Sequence, residues 1–380
     1  GIWMNTQRPE WNDANNALVG FGISVVTLCY LRRYFFLLEN LLSSSSARDF
    51  RVTAELAAVF GELDGLMQQH KALLAESMTA ADRRTFMDGA GMAMERWRES
   101  LYAGFSGERS RLERTELLAF VELALEWIDN SIAGNQREDG LFHSYNLMRL
   151  ENDGVEIDRL DVMLEGQAAV LYSGCLGHDD SLVLLRQLRE SELYRKDQDS
   201  YVLYPDRQLP AFLEKNRIPE ALVAESNFAR AELDSGQSAY LVRDTHGVAH
   251  FHGRFRNAAM LAEELQDDAG IDASSAEWLL NTYEAVFDHQ RFTGRSGGMY
   301  KYEGLGCIYW HMVSKLVLAA AEVTVDAGRA GVDAELFDGL ADSYRQAREG
   351  LGVHKTPADY GAFTTDAYSH TPGFIGVQQP

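Results

Sequence analysis

At 380 residues the chain can hold one large core or two to three small ones, and its 46% hydrophobic and 11% aromatic content marks a globular protein. Its 35 basic and 57 acidic residues give a formal net charge of −22. Such a surface repels phosphate backbones and anionic headgroups, which argues against nucleic acid and membrane as partners and suits a neutral ligand.

In chain order, helical periodicity predicts helices at about 14–44, 51–76, 80–105, 115–134, 161–175, 179–190, 257–268, 274–290, 305–328 and 333–350. The first spans an apolar stretch, Ala17 to Leu42, but Arg32, Arg33 and Glu39 disfavour a membrane span. Ser43 to Ser46 is a polar stop. Thr79, with Asp82 three residues on, and Thr115, with Glu116, are start signals; Gly350 and Gly352 end the last helix. Leu141 to Leu150, Ser200 to Tyr204 and Val248 to Phe251 have extended character. Residues 191–256 form a helix-poor, loop-rich excursion carrying Tyr194, Tyr201, Tyr204, His246, His250 and His252, the kind of long loop that shapes a binding surface.

Cys29, Cys175 and Cys307 are an odd number in apolar helical contexts, without disulfide or metal-ligand spacing, which fits a reducing, cytoplasmic setting. The opening Gly1-Ile2-Trp3 and the closing Gln378-Gln379-Pro380 read as ends cut from something longer. About ten helices joined by decorated loops, without a repeat of 20–50 residues, disfavour a solenoid and predict antiparallel pairs side by side. The expected fold is mainly α, an (α/α)6 toroid of the six-hairpin type with short β segments in its loops. All of 1–380 forms one such domain in this reading, with its first elements upstream of Gly1.

Three segments concentrate chemistry. Arg8-Pro9-Glu10-Trp11-Asn12-Asp13 precedes the first helix and holds two carboxyls, an indole and an amide. Cleaving a glycosidic bond takes a protonated carboxyl for the leaving oxygen and aromatic faces for sugar rings. A helix N-terminus lowers the pKa of a carboxyl at Asp13, whereas a general acid needs it raised; Glu10, one turn earlier, escapes that objection. Arg8, Trp11 and Asn12 are then candidate substrate contacts, although Asn12 or Asp13 capping the helix is an equal alternative.

The second segment is the glycine-rich Ser296 to Gly306, followed by Tyr309-Trp310-His311. Glu303 is a candidate carboxylate to activate water on the far face of the sugar, or a first-turn acid complementing the helix dipole. Tyr302, Trp310 and His311 are candidate substrate contacts. Four residues separate His311 from Lys315 on one helical face, for which a core or capping role is the plainer reading. The third segment, after the last helix, offers Lys355, Tyr360 and His370 for an anion or a sugar hydroxyl. In the middle, Glu165 and Gln167 open a helix and are candidate partners of sugar hydroxyls, with capping as the alternative. Trp3, Trp11, Tyr145, Tyr302 and Trp310 are candidate sugar platforms. The spacing of His246, His250 and His252 fits no zinc pattern, and no Walker loop, Rossmann fingerprint or nucleophile elbow is present, so neither metal nor cofactor is expected.

Together these segments resemble inverting glycoside phosphorylases of the cellobiose and chitobiose phosphorylase type, which share an (α/α)6 barrel with glucoamylase-like hydrolases. Glu10-Trp11-Asn12-Asp13 looks like that family's Asp-Trp-Asn-Asp motif, which carries the general acid and by position implies Asp13. Leu164-Glu165-Gly166-Gln167-Ala168, continuing to Leu171-Tyr172-Ser173-Gly174, is similar to its Asn-Gly-Gln-Ala segment ahead of a Leu-Ser-Gly. Gly297-Gly298-Met299-Tyr300 resembles its Gly-Gly-Ile-Phe loop on the phosphate side of the site. The first acid is Glu10 instead of Asp, and Lys301-Tyr302-Glu303 replaces the His that follows that loop. The resemblance implies cleavage of an oligosaccharide or disaccharide with inversion, with water or inorganic phosphate as nucleophile. A polysaccharide lyase or sugar epimerase on the same fold, with Lys355, Arg254 and Arg256 as a local cationic patch, is the alternative enzyme. A non-catalytic carbohydrate-binding domain is the alternative without chemistry.

Overall fold

The computed structural model describes residues 18, 20–75, 78–205, 210, 212–235, 239–268, 270–288 and 308–351, with the backbone of 2–4. Strands β1 (Ile2–Met4) and β2 (Gly22–Ser24) precede helix α1 (Val25–Ser44). An excursion follows: β3 (Asp49–Thr53), α2 (Ala54–Gln69), a 3-10 turn, α3 (Ala80–Ala103) and β4 (Arg109–Glu113). The chain continues through α4 (Arg114–Ala133), β5 (Tyr145–Leu150), β6 (Val155–Arg159), α5 (Leu164–Ser173) and α6 (His178–Glu190). Strands β7 (Tyr194–Arg195) and β8 (Ser200–Tyr201) lead to short helices α7 (Phe212–Lys215), α8 (Glu220–Glu225) and α9 (Asn227–Ser235). Then come β9 (Leu241–Arg243), β10 (Ala249–Phe251), α10 (Ala258–Asp267), α11 (Ala273–Phe287), α12 (Trp310–Ala330) and α13 (Ala334–Glu349).

The protein is mostly helical with short antiparallel strands. Six helices form the main body as three antiparallel pairs, α1 with α4, α5 with α6 and α12 with α13. Pairing shows in cross-links such as Arg32 Nε to Asp129 Oδ1 at 2.6 Å, which joins the first half of α1 to the second half of α4. Helices α1, α5 and α12 lie side by side as an inner row, with α5 in the middle. The row runs parallel: Arg33 on α1 donates to the Tyr172 carbonyl near the end of α5 at 3.0 Å and pairs with Glu322 on α12 at 2.6 Å. Position in the row sets the burial. On α5 every residue from Leu164 to Leu171 is buried, whereas α13, on the outside, buries only Leu336, Leu340, Ala341 and Ala347 on one stripe.

Of the ten helices expected from the sequence to stack side by side, six form this body. Helix α2 packs on the β3–β4 ribbon, whose antiparallel register runs from Asp49↔Glu113 to Thr53↔Arg109, and α3 packs on α2 and β6. The helix expected from residue 14 begins at Val25, because Gly22–Ser24 pairs with both β1 and β5 in a four-stranded sheet, β1-β2-β5-β6. The turn before it needs glycine twice. Gly20 has φ +91°, and a Cβ on Gly22 would stand 2.3 Å from Leu18 Cβ. Ser24 then caps α1 by accepting from Thr27 N at 2.9 Å. The excursion read as helix-poor carries α7, α8 and α9. Among the described residues two large apolar cores result, one drawing on residues from Leu18 to Tyr204 and from Met312 to Ala347 and the other on Ile218 to Phe287 alone, beside a small cluster of Ile23, Met148 and Val155.

Candidate functional site

Because the inner row is parallel, the N-terminal ends of α1, α5 and α12 share one end of the body. The side chains gathered there come from strand β5 and the first turns of the three helices. Helix α5 opens without a side-chain cap, and Glu165 and Gly166 stand in its first turn. Ser144, just before β5, accepts from Gly166 N at 2.8 Å, so the strand and the helix start are stitched together. That contact leaves no room for a larger residue, since a Cβ on Gly166 would lie 2.4 Å from Ser144 Oγ.

Glu165 is 7% exposed and accepts from the Tyr145 hydroxyl at 2.7 Å. Burial pushes its carboxyl pKa above the usual range, while the Tyr145 hydroxyl and the Lys315 ammonium on α12 pull it back. Tyr30 on α1 is raised by its own burial and by the Glu165 charge. His311, exposed one turn before Lys315, has its pKa lowered by desolvation and by that ammonium. Its ring lies 5.1 Å from that of Tyr309, and Trp310 beside it is half-buried. The structure therefore assembles Tyr30, Tyr145, Glu165, His311 and Lys315 around one helix-terminal corner. A buried carboxyl near the Lys315 ammonium, with an imidazole at the start of the same helix, combines a proton-bearing group with one cation at a helix N-terminus.

Of the candidate residues, Tyr145, Glu165, Trp310 and His311 fall at this corner. The ring of Tyr145, 1% exposed, is enclosed by the core and offers its hydroxyl, not a face for stacking. Gln167 points elsewhere. It is fully buried, accepts from Phe142 N at 2.8 Å and donates to the Phe142 and Met163 carbonyls at 2.7 and 2.9 Å. Arg8, Glu10, Trp11, Asn12, Asp13, Tyr302, Glu303, Lys355, Tyr360 and His370 lie outside the described residues. Lys315 and Tyr30 join the corner without having been singled out as ligands; the spacing of four between His311 and Lys315 was the legible signal, and nothing marked Tyr30. The histidines of the excursion are spent locally: His250 bonds the Asn216 carbonyl and faces Asp244 Oδ2 at 3.3 Å.

The opposite end of the inner row is different in character. Helix α5 is ten residues long and its neighbours twenty and twenty-one, so beyond Ser173 they flank a groove of about 780 Å³. Arg33 crosses it, stacked 3.7 Å from the Tyr172 ring centroid. Among the described residues no helix is long and apolar enough to cross a membrane.

Comparison with known families gives one match: residues 209–290 fit the model described as GH149 phosphorylase insertion domain 2. Those bounds enclose the whole second core, Ile218 to Phe287, and none of the first. The match supports a glycoside-phosphorylase-like family for the chain. No curated protein matches it.

Proposed function

We propose that the chain is part of a glycoside phosphorylase that cleaves a glycosidic bond with inversion, and that its main body belongs to an (α/α)6 toroid interrupted by an inserted domain at about 209–290. The observation that carries this reading is the phosphorylase insertion-domain match, seated between two helical pairs of an otherwise paired-helix body. The corner at the inner-row N-termini supports phosphate over water as the nucleophile. Lys315 there provides positive charge and His311 a ring N–H donor, reinforced by the dipole of the 21-residue α12.

In this mechanism a phosphate oxygen attacks the anomeric carbon while the bond to the leaving oxygen breaks on the other face. Asp13 delivers a proton to the leaving oxygen, with Glu10 as the other carboxyl for that role. A sugar 1-phosphate of inverted configuration and a shortened saccharide are released, and no general base is required. In sequence the segment carrying the proposed acid lies upstream of β2 and α1, and the glycine-rich loop lies just upstream of α12. Trp11, Tyr302 and Trp310 supply aromatic surface, and Arg8, Asn12, Lys355, Tyr360 and His370 supply polar contacts.

The test is saccharide cleavage by the protein on a panel of α- and β-linked oligosaccharides, with and without inorganic phosphate. Phosphate-dependent release of sugar 1-phosphate, abolished by Asp13→Asn, is the expected result. Cleavage without phosphate would make it a hydrolase with Glu303 as base. Turnover of uronate-containing polymer alone would establish the lyase reading, and saccharide binding untouched by Asp13→Asn, without turnover, a binding module.

A further inference from the structure

We propose that the inserted unit, residues 209–290, is planted at the candidate corner by both of its ends and is the element that sets which saccharide the site accepts. What it contacts there rests on the phosphorylase reading; where it stands rests on the path of the chain. Each inner helix runs away from the corner and its outer partner returns, so α6 ends and α12 begins at the corner end of the body. The unit is inserted between those two points. Its entry is built into the body. Val202 and Tyr204, both 2% exposed, belong to the body core, and Val202 N donates to the Leu193 carbonyl at 2.8 Å. The Leu203 carbonyl accepts from Leu164 N at 3.1 Å, satisfying an N–H that opens α5 beside Glu165. At the exit, Ile308 and Tyr309 pack on the same core, and the Tyr309 carbonyl accepts from Met312 N at 2.8 Å as α12 starts. The second core begins at Ile218 and ends at Phe287, so the chain leaves the body core and rejoins it at the corner.

The β7–β8 hairpin fixes the direction of entry. Its turn holds Asp199 at φ +44°, a left-handed conformation that few side chains accept. The Asp199 carboxylate accepts from the Tyr194 hydroxyl at 2.6 Å and from Arg189 Nη2, near the end of α6, at 3.1 Å. A Cβ on Gly350, at the end of α13, would stand 2.9 Å from both the Asp199 carbonyl oxygen and Ser200 Oγ. The turn is therefore wedged between the ends of two outer helices. Charge then separates the two ligands of the site. Residues 209–290 hold six basic and fourteen acidic side chains. A unit of that sign does not gather phosphate; it suits the neutral saccharide beyond the bond being cleaved.

Hydrogen exchange in the full chain tests this, with neutral α- and β-linked oligosaccharides as probes and no phosphate present. A saccharide at about ten times its Kd should slow exchange about tenfold in the first turns of α5 and α12, and equally in part of the inserted unit. Slowing confined to the body overturns the proposal. In phosphorolysis, Asp199→Ala, which unlocks the hairpin, should raise KM for the saccharide about fivefold with KM for phosphate unchanged, and Asp199→Asn should restore most of the loss. The same change in both constants, zero included, overturns the hairpin's part in specificity. Absence of saccharide binding and of phosphorolysis in the wild type overturns the phosphorylase reading instead. Placement is then decided by a short amine-reactive crosslinker, which needs no ligand. It should join Lys215 in the unit to Lys315 on α12. A sample in which Lys196 is cross-linked but that pair is not overturns the placement.

Discussion

Gln167 and Glu165 sit two residues apart in the same first turn, yet their side chains serve opposite ends. Gln167 satisfies three backbone groups of the Phe142 loop and of Met163, all buried. Removing it orphans them, so Gln167→Ala should cost about 3 kcal/mol in urea unfolding, at the upper end for a buried group left without its partner. Gly166→Ala should cost about 1–3 kcal/mol through overpacking against Ser144. For Glu165 the pH dependence has a definite sign. Its folded pKa lies above the ordinary 4.5, so between 4.5 and the raised value the unfolded chain has released a proton that the folded chain retains. Stability from this group is greatest at low pH and falls as pH rises through that window; Glu165→Gln should flatten that slope in unfolding measured from pH 4.5 to 8. The Gly-Gln pattern was legible as a helix start, but which of Glu165 and Gln167 faces the corner depends on β5 and α12, partners distant in sequence.

Helices with strong local signals fall close to their sequence expectations. Residues 80–105 were expected helical and α3 spans Ala80–Ala103, opened by a capping box in which Asp82 N donates to Thr79 Oγ1 at 3.2 Å and Thr79 N donates to Asp82 Oδ2 at 2.9 Å. Thr79→Ala should therefore cost about 1 kcal/mol in thermal or urea unfolding and leave any catalytic activity untouched. At α4 the cap is Glu113, not Thr115, with Glu116 closing the box onto the Glu113 N–H at 3.0 Å. The first helix was expected to run through Gly20 to Ser24, where a turn and β2 stand, because the apolar residues there read equally as helix or strand. Pairing with β5, more than a hundred residues later, settles that ambiguity.

The two largest apolar cores divide the described residues between a helical body and the stretch between α6 and α12, which we predict to unfold as separate units. Phe251 is 1% exposed and packs edge-on against Tyr283 at 4.9 Å, wholly within the second core. Phe251→Ala should destabilise that unit by about 3–5 kcal/mol and shift only one of two unfolding transitions in calorimetry. Equal movement of both transitions would show that the cores fold as one. Thiol chemistry reports on the body instead. Cys29 is buried among α1, α4 and α5 residues and burial raises its pKa, so alkylation near pH 8 should leave it unmodified until the body unfolds.

The sequence by itself determined the helical class and most helix ends, because periodicity and caps are local properties of the chain. It also held two of the excursion's strands, β8 and β10, but not β7, β9 or the short helices, whose four to nine residues carry too little periodicity to read. Only the tertiary structure decided that three helical pairs form the body, that α2 and α3 pack on α4 through Phe60–Phe120 and Phe86–Trp127, and that a second core gathers residues from Ile218 to Phe287. It alone placed Lys315 and Tyr30 beside Glu165. Those outcomes depend on which apolar faces meet across long stretches of sequence, and packing energy, unlike a cap or a turn, belongs to pairs of elements and not to either one alone.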